Sequence, residues 1–165
     1  MPGDSKNGIV YAKLGSMIRQ FQPADAVACC KLIQGCLADD SSISPALRKK
    51  LMAAETPDSM VKRASLFYVA VYEGEGRVLG VAGLDLNEIR LLCVSPQTRR
   101  QGVGRALLDH FRGMVPGILF PDMFVYSSIQ GRDFYRAFGF EEKGPTTFDF
   151  AGDRLQTIFM SLPLR

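Results

Sequence analysis

The stretch Glu88-Ile-Arg-Leu-Leu-Cys-Val-Ser-Pro-Gln-Thr-Arg-Arg-Gln-Gly-Val-Gly-Arg-Ala-Leu-Leu108 holds most of the information in this chain. Residues 88–94 have the length and apolar content of a strand, and Ser95-Pro96 stops it. From Val103 onward, Val103, Leu107, Phe111 and Met114 recur at spacings of four, four and three, the mark of an amphipathic helix. Between strand and helix lie Arg99, Arg100, Gln101, Gly102 and Gly104, with Arg105 just beyond. The first turn of a helix leaves backbone N–H groups unpaired and carries partial positive charge, so phosphate oxygens can settle there if the loop backbone comes close. Gly102 and Gly104 permit that approach, and Arg99, Arg100 and Arg105 add charge suited to a pyrophosphate. A G-x-G pair alone means little, since 16 Gly in 165 residues give about 1.5 such pairs by chance. Neither common nucleotide fingerprint is present: there is no G-x-x-x-x-G-K-[ST], and G-x-G-x-x-G would need glycine at Leu107.

Working outward, residues 17–22 read as a short strand and Pro23-Ala24-Asp25 opens a helix running to about Ala38, with Val27, Cys30, Ile33 and Leu37 on its apolar face. A second helical pattern covers residues 45–54, and Thr56-Pro57-Asp58-Ser59 is turn chemistry. Residues 66–72 and 77–84 form a hairpin across Glu73-Gly-Glu-Gly76. After the central helix come a strand at 123–127, a short helix at 132–138 with Gly139 placed as its cap, and strands at 147–150 and 157–162. This order predicts an α+β (mixed α/β) domain. Residues 1–16 are polar and read as a leader, loose or adding an edge strand over 9–14, and residues 17–165 as one domain.

Composition agrees with one ordinary globular core, at 47% hydrophobic and 22% charged residues. A net charge of +3 is too slight to announce a nucleic-acid or anionic-membrane partner. Arg48-Lys49-Lys50 is short and reads as a solvated helix face, and no aromatic platform accompanies Arg99 and Arg100, so no nucleic acid is expected. No apolar run approaches a membrane span, and the first residues lack a secretory signal, so the expected location is cytoplasmic. Cys29, Cys30, Cys36 and Cys93 lack C-x-x-C spacing, and His110 is the only histidine; no metal is expected, and the thiols read as packing residues in a reducing compartment.

These residues resemble the GNAT superfamily of N-acetyltransferases. Arg99-Arg-Gln-Gly102-Val-Gly104 fits that family's acetyl-CoA signature [QR]-x-x-G-x-[GA], and Leu92-Cys-Val94-Ser-Pro96 resembles the strand end before it. Phe134-Tyr135-Arg-Ala-Phe-Gly139-Phe140 resembles the second motif, F-Y-x-x-x-G-F, and the likeness reaches more weakly back to residue 17. The resemblance implies a central, mostly antiparallel sheet of about six or seven strands, splayed in the middle and flanked by about four helices. It implies acetyl-CoA as cosubstrate, with the backbone of Leu92, Cys93 and Val94 pairing with the pantetheine arm and residues 99–105, Val103 included, holding the pyrophosphate. Ser128 stands where the family often has Asn and Gly131 where it often has Ala, both departures from the pattern.

The implied reaction is acetyl transfer to a primary amine without a covalent acyl-enzyme. A free alkylammonium is only about one part in 2,500 neutral at pH 7, so a base is useful. Glu88 occupies the strand position where several family members carry a carboxylate, and strict alternation would put Glu88, Arg90, Leu92 and Val94 on one side; a structural ion pair with Arg90 is the competing role. Tyr135 matches the family's usual proton donor to the leaving sulfur, against a plain packing role; Tyr126 reads as a sheet residue. A non-catalytic acyl-CoA-binding regulatory module is the alternative function. The acceptor stays open among protein N-termini, lysine side chains, polyamines, aminoglycosides and amino acids. Asp39, Asp40, Glu55 and Asp58 could attract a cationic amine or simply solvate a loop, and an edge strand could support a homodimer.

Overall fold

In the computed structural model, which describes residues 10–13 and 15–165 with side chains from Gly15 onward, eight strands form one sheet. They are β1 (Val10–Lys13), β2 (Ser16–Gln20), β3 (Tyr68–Gly74), β4 (Arg77–Asp85), β5 (Glu88–Val94), β6 (Asp122–Ser128), β7 (Glu141–Phe150) and β8 (Asp153–Pro163). Five α-helices accompany them: α1 (Ala26–Asp39), α2 (Pro45–Ala54), α3 (Pro57–Leu66), α4 (Val103–Met114) and α5 (Arg132–Phe138). The sheet order is β1-β2-β3-β4-β5-β6-β8-β7, and β5–β6 is the one parallel neighbour pair in it. The mixed α+β, mostly antiparallel architecture matches the expectation. It exceeds the expected counts by β1, which pairs with β2 at one edge, and by α3. Of the leader expected over residues 1–16, residues 1–9 and 14 lie outside the described residues. No described helix is long and apolar enough to cross a membrane.

Helix α3 arises where the sequence reading expects a turn. Thr56 Oγ1 accepts from Ser59 N at 3.1 Å while Ser59 Oγ accepts from Thr56 N at 3.0 Å, and Pro57 takes the first helical position. The same four residue types make either a turn or a capping box; the residues after them decide, and Met60 is wholly buried against α1 and the sheet. The apolar face of α1 is also rotated from the expected one. Val27 is 53% exposed, while Ala26, Cys29, Cys30 and Ile33 are buried. At the β3–β4 hairpin, Glu75 (φ 54°) and Gly76 (φ 70°) are both left-handed, as a two-residue turn between right-twisted strands requires.

Helices cover both faces of the sheet. On one, α4 and α5 bury Leu107, Leu108 and Phe111 against Met123, Val125 and Met160; Phe111 is inaccessible, so truncating it to alanine should cost about 3–5 kcal/mol. On the other, α1 and α3 bury Cys29, Ile33 and Met60 against Val69, Val71 and Val81. Arg19 on β2 ties that side together, with both oxygens of Asp25 at 2.8 Å and Glu73 on β3 at 2.9 Å.

Candidate active site

Two irregularities in β5 create the site. The first is its short pairing with β6, limited to Glu88 with Phe124 and Ile89 with Val125; beyond Ile89 the strands separate and leave one backbone edge of residues 91–94 without a strand partner. The second is a bulge: Leu84 opposes Ile89 and Gly83 opposes Leu91, so Arg90 is an extra residue. The bulge reverses the alternation. Ile89, Leu92 and Val94 pack into the α4–α5 core, whereas Leu91 and Cys93 pack towards α1 and α3. Glu88, adjacent to Ile89, therefore points to the α1–α3 side, opposite Leu92 and Val94, which corrects the parity expected from strict alternation.

A cavity of about 850 Å³ fills the gap between the separated strands and runs from the start of α4 to the space beneath α1 and α2. It is lined by Leu92, Cys93, Val94, Arg99, Arg100, Gly102, Val103, Gly104, Arg105, Ser128 and Tyr135. Glu88 and Gln101 lie outside its lining. Glu88 Oε2 is 3.6 Å from Arg90 Nη1, which also approaches Asp85 at 3.8 Å. Gln101 N donates to Thr98 O at 3.4 Å.

At the helix end of the cavity, the first backbone bond of α4 runs from Ala106 N to Gly102 O at 2.9 Å, so the N–H groups of Val103, Gly104 and Arg105 precede the ladder. The two glycines serve different ends. Gly102 sits at φ +84° with open space where a Cβ would stand, so its demand is conformational. Gly104 is helical, and a Cβ there would meet Phe134 Cζ at 3.0 Å and Val94 Cγ2 at 3.4 Å, so its demand is close packing. Arg100 also holds a positive φ of 63°, an uncommon conformation for a non-glycine residue that turns the loop tightly into the helix. These features fit a pyrophosphate: unpaired amides, a close backbone and, in Arg100 and Arg105, guanidiniums in no described salt bridge.

Tyr135 is 7% exposed, held edge-on between Phe134 at 5.2 Å and Phe140 at 5.3 Å. Burial raises its pKa, with a smaller push from Cys93, so the phenol stays protonated at neutral pH. No described residue hydrogen-bonds its hydroxyl. Ser128 Oγ accepts from Gly131 N at 3.0 Å and fixes the turn into α5.

The structure adds residues that sequence reading left aside. Cys36 on α1 donates its thiol to Val94 O at 3.3 Å and lies against the Cys93 thiol. That contact, then Arg99, lowers the Cys36 pKa to about 7, while Cys36 and burial push Cys93 up. Under α2, Glu55 is chelated by Arg63 at 2.7 and 3.2 Å; Asp39 pairs with Arg99, and Asp40 accepts from Ser42 N at 2.9 Å. Three of the four acidic residues expected either to attract an amine or to solvate a loop thus already have partners within the chain. Tyr126 also lines the cavity. These contacts join distant segments, so no spacing within one segment signals them. Among the described residues no three His, Cys, Asp or Glu side chains gather as a metal site.

Comparison with known proteins bears on the fold and the family. No curated protein sequence matches the chain. Among solved structures it is similar to a GCN5-related N-acetyltransferase from Rhodopseudomonas palustris, with 22% identity, coverage of 88% of this chain and 94% of that one, and a TM-score of 0.80. An N-acetyltransferase from Staphylococcus aureus shares 18% identity over 91% and 99% of the two chains, with a TM-score of 0.70. The yncA protein of Salmonella typhimurium, solved with its cofactor acetyl-CoA, shares 19% identity over 92% and 95%, also with a TM-score of 0.70. At these identities the likeness shows the fold. The acetyltransferase (GNAT) domain profile matches residues 38–161, which span both β5–α4 and α5, and the chain therefore belongs to the GNAT family of acetyltransferases, acyltransferases that use acetyl-CoA.

Proposed function

We propose that this chain transfers an acetyl group from acetyl-CoA directly to a primary amine, in the cytoplasm, with no acyl-enzyme. The observation that carries the proposal is the convergence of the β5 edge that lacks a strand partner, the free amides of α4 and the Tyr135 side chain on one cavity. Acetyl-CoA supplies an activated thioester. The amides of Val103, Gly104 and Arg105 and the guanidiniums of Arg100 and Arg105 hold its pyrophosphate, and the free edge at Leu92, Cys93 and Val94 pairs with its pantetheine amides. The Tyr135 hydroxyl donates a proton to the departing sulfur; a thiolate of pKa near 8.5 needs only that modest help. Glu88, on the α1–α3 face of the sheet and just outside the cavity lining, takes the proton that the ammonium must lose.

Isothermal titration with CoA and acetyl-CoA tests the cradle. Binding near micromolar strength should be lost in Arg100→Glu and in Gly102→Val/Gly104→Val. A thiol-release screen over amine classes comes next, with Glu88→Gln and Tyr135→Phe as controls. Absence of binding at millimolar cofactor would refute the proposal; tight binding without turnover on any amine class would favour a regulatory acyl-CoA-binding module.

A further inference from the structure

The sheet face that carries Glu88 has an unusual wall. Alternation along β6 sends Met123, Val125 and Ser127 into the α4–α5 core, at 0%, 4% and 1% exposure, and leaves Phe124 and Tyr126 on the opposite face. The β6–β8 register sets Tyr126 opposite Phe159, and β7 adds Phe148. The four rings touch: Tyr126 meets Phe148 at 5.0 Å and 83°, Phe124 at 5.9 Å and 84°, and Phe159 at 5.3 Å and 33°. Tyr126 is 38% and Phe148 42% exposed, although aromatic rings normally find cover. α2 reaches β8 through Lys50, bound to Asp153 at 2.6 Å and to Ala151 O at 2.8 Å, and these rings remain half open.

Two observations say what covers them. The wall is continuous with the cavity, because Tyr126 lines it, and Glu88 stands beside Phe124 in the β5–β6 register on the same face. The cavity lining holds two acids, Asp40 and Glu55, and Glu55 is already chelated by Arg63, which is too few carboxylates for a polycation. We infer that the acceptor is a small amine with a single cationic group on a flat aromatic body, an arylalkylamine in chemical class. Its ring stacks on Tyr126 and Phe148, and its amine reaches past Phe124 towards Glu88. This rests on the amine-transfer reading above and gives it a substrate class.

The test is steady-state kinetics at saturating acetyl-CoA with 2-phenylethylamine, n-butylamine and spermidine, alongside titration of acetyl-CoA itself. The inference expects kcat/KM for 2-phenylethylamine about ten-fold or more above the other two. Phe148→Ala, a change outside the cavity lining, should raise the KM for 2-phenylethylamine by about ten-fold while leaving the acetyl-CoA Kd unchanged, and Tyr126→Ala should raise that KM at least as much. Tyr126→Phe should keep wild-type KM, since the ring is the contact, and thermal melts verify folding. A preference for spermidine, or an unchanged KM in both alanine variants, overturns the aromatic acceptor while acetyl-CoA binding stands. Failure of acetyl-CoA to bind overturns the transfer reading and this inference with it.

Discussion

Replacing Gly102 with alanine separates the shape of the phosphate loop from its charge. At φ +84° an L-residue sits in the left-handed region, while the Cβ itself would meet nothing within 4 Å, so the substitution introduces backbone strain and no clash. That strain is about 1–2 kcal/mol. For a chain of this size each kcal/mol moves the melting midpoint by about 2–4 °C, so the loop can hold its shape at the expense of about 2–8 °C in Tm. Alternatively, the loop relaxes towards negative φ and the amides of Val103, Gly104 and Arg105 swing away from the phosphates. Losing one amide bond to a charged oxygen, worth about 1.5–3 kcal/mol, weakens CoA binding about ten- to 150-fold. Differential scanning calorimetry and isothermal titration with CoA, run on the same Gly102→Ala sample, read the two outcomes separately. At least one of the two quantities must move. If Tm and Kd both match wild type, the left-handed turn is not what shapes this loop, and the account of Gly102 is wrong.

Tyr135→Phe should lower kcat by about a hundred-fold or more with the acetyl-CoA Kd unchanged, as expected of a general acid. Since burial raises the Tyr135 pKa, deprotonation of this phenol should not define the alkaline limb of the rate profile at ordinary assay pH; a limb that disappears in Tyr135→Phe would contradict this. Cys36 should react with iodoacetamide along a curve centred at about pH 7, faster as pH rises, and Cys93→Ala should move the curve upward because the Cys93 contact is the main cause of the lowering. His110, bonded to the Tyr68 hydroxyl at 3.1 Å, has its pKa depressed by burial. Protonation therefore favours the unfolded chain: the stability it confers is complete above about pH 6.5 and is lost as pH falls through the folded value. Melting measured between pH 7 and pH 5 should show a shallower decline in His110→Gln than in wild type.

Elements with punctuation at both ends were legible in the sequence. α2 starts at Pro45 behind the Ser44 cap, α5 ends at Gly139 (φ 124°), and β5 stops at Ser95-Pro96; their observed bounds coincide with the expected ones. β7 is longer than its pattern because Glu141, Glu142, Lys143 and Gly144 have no strand signal of their own; β8 recruits Glu141, Glu142 and Gly144 by pairing, with Lys143 at the register shift between them. The Arg90 bulge is hidden because Leu91-Leu92-Cys93-Val94 is apolar at every position, so either phase fits the pattern. Of the proposed site, the phosphate loop was legible because strand, loop and helix start are contiguous. The aromatic wall was not, because Phe124, Tyr126, Phe148 and Phe159 meet only across strands, and the Cys36–Cys93 contact likewise joins residues 57 positions apart in the chain.

The extra residue at Arg90 gives β5 two allegiances. A strand in constant phase dedicates each parity to one face along its whole length, so tolerance to substitution along it would repeat every second position. Here the phase slips once. A scan across β5 should find Ile89, Leu92 and Val94 answering to the α4–α5 core, and Glu88, Leu91 and Cys93 to the α1–α3 side. Deleting Arg90 would put the strand back in step and turn one half of it over, so a single-codon deletion should do more damage than any one replacement at that position. The one extra residue thus lets Glu88 face one side of the sheet while Leu92 and Val94, a few residues further on, face the other.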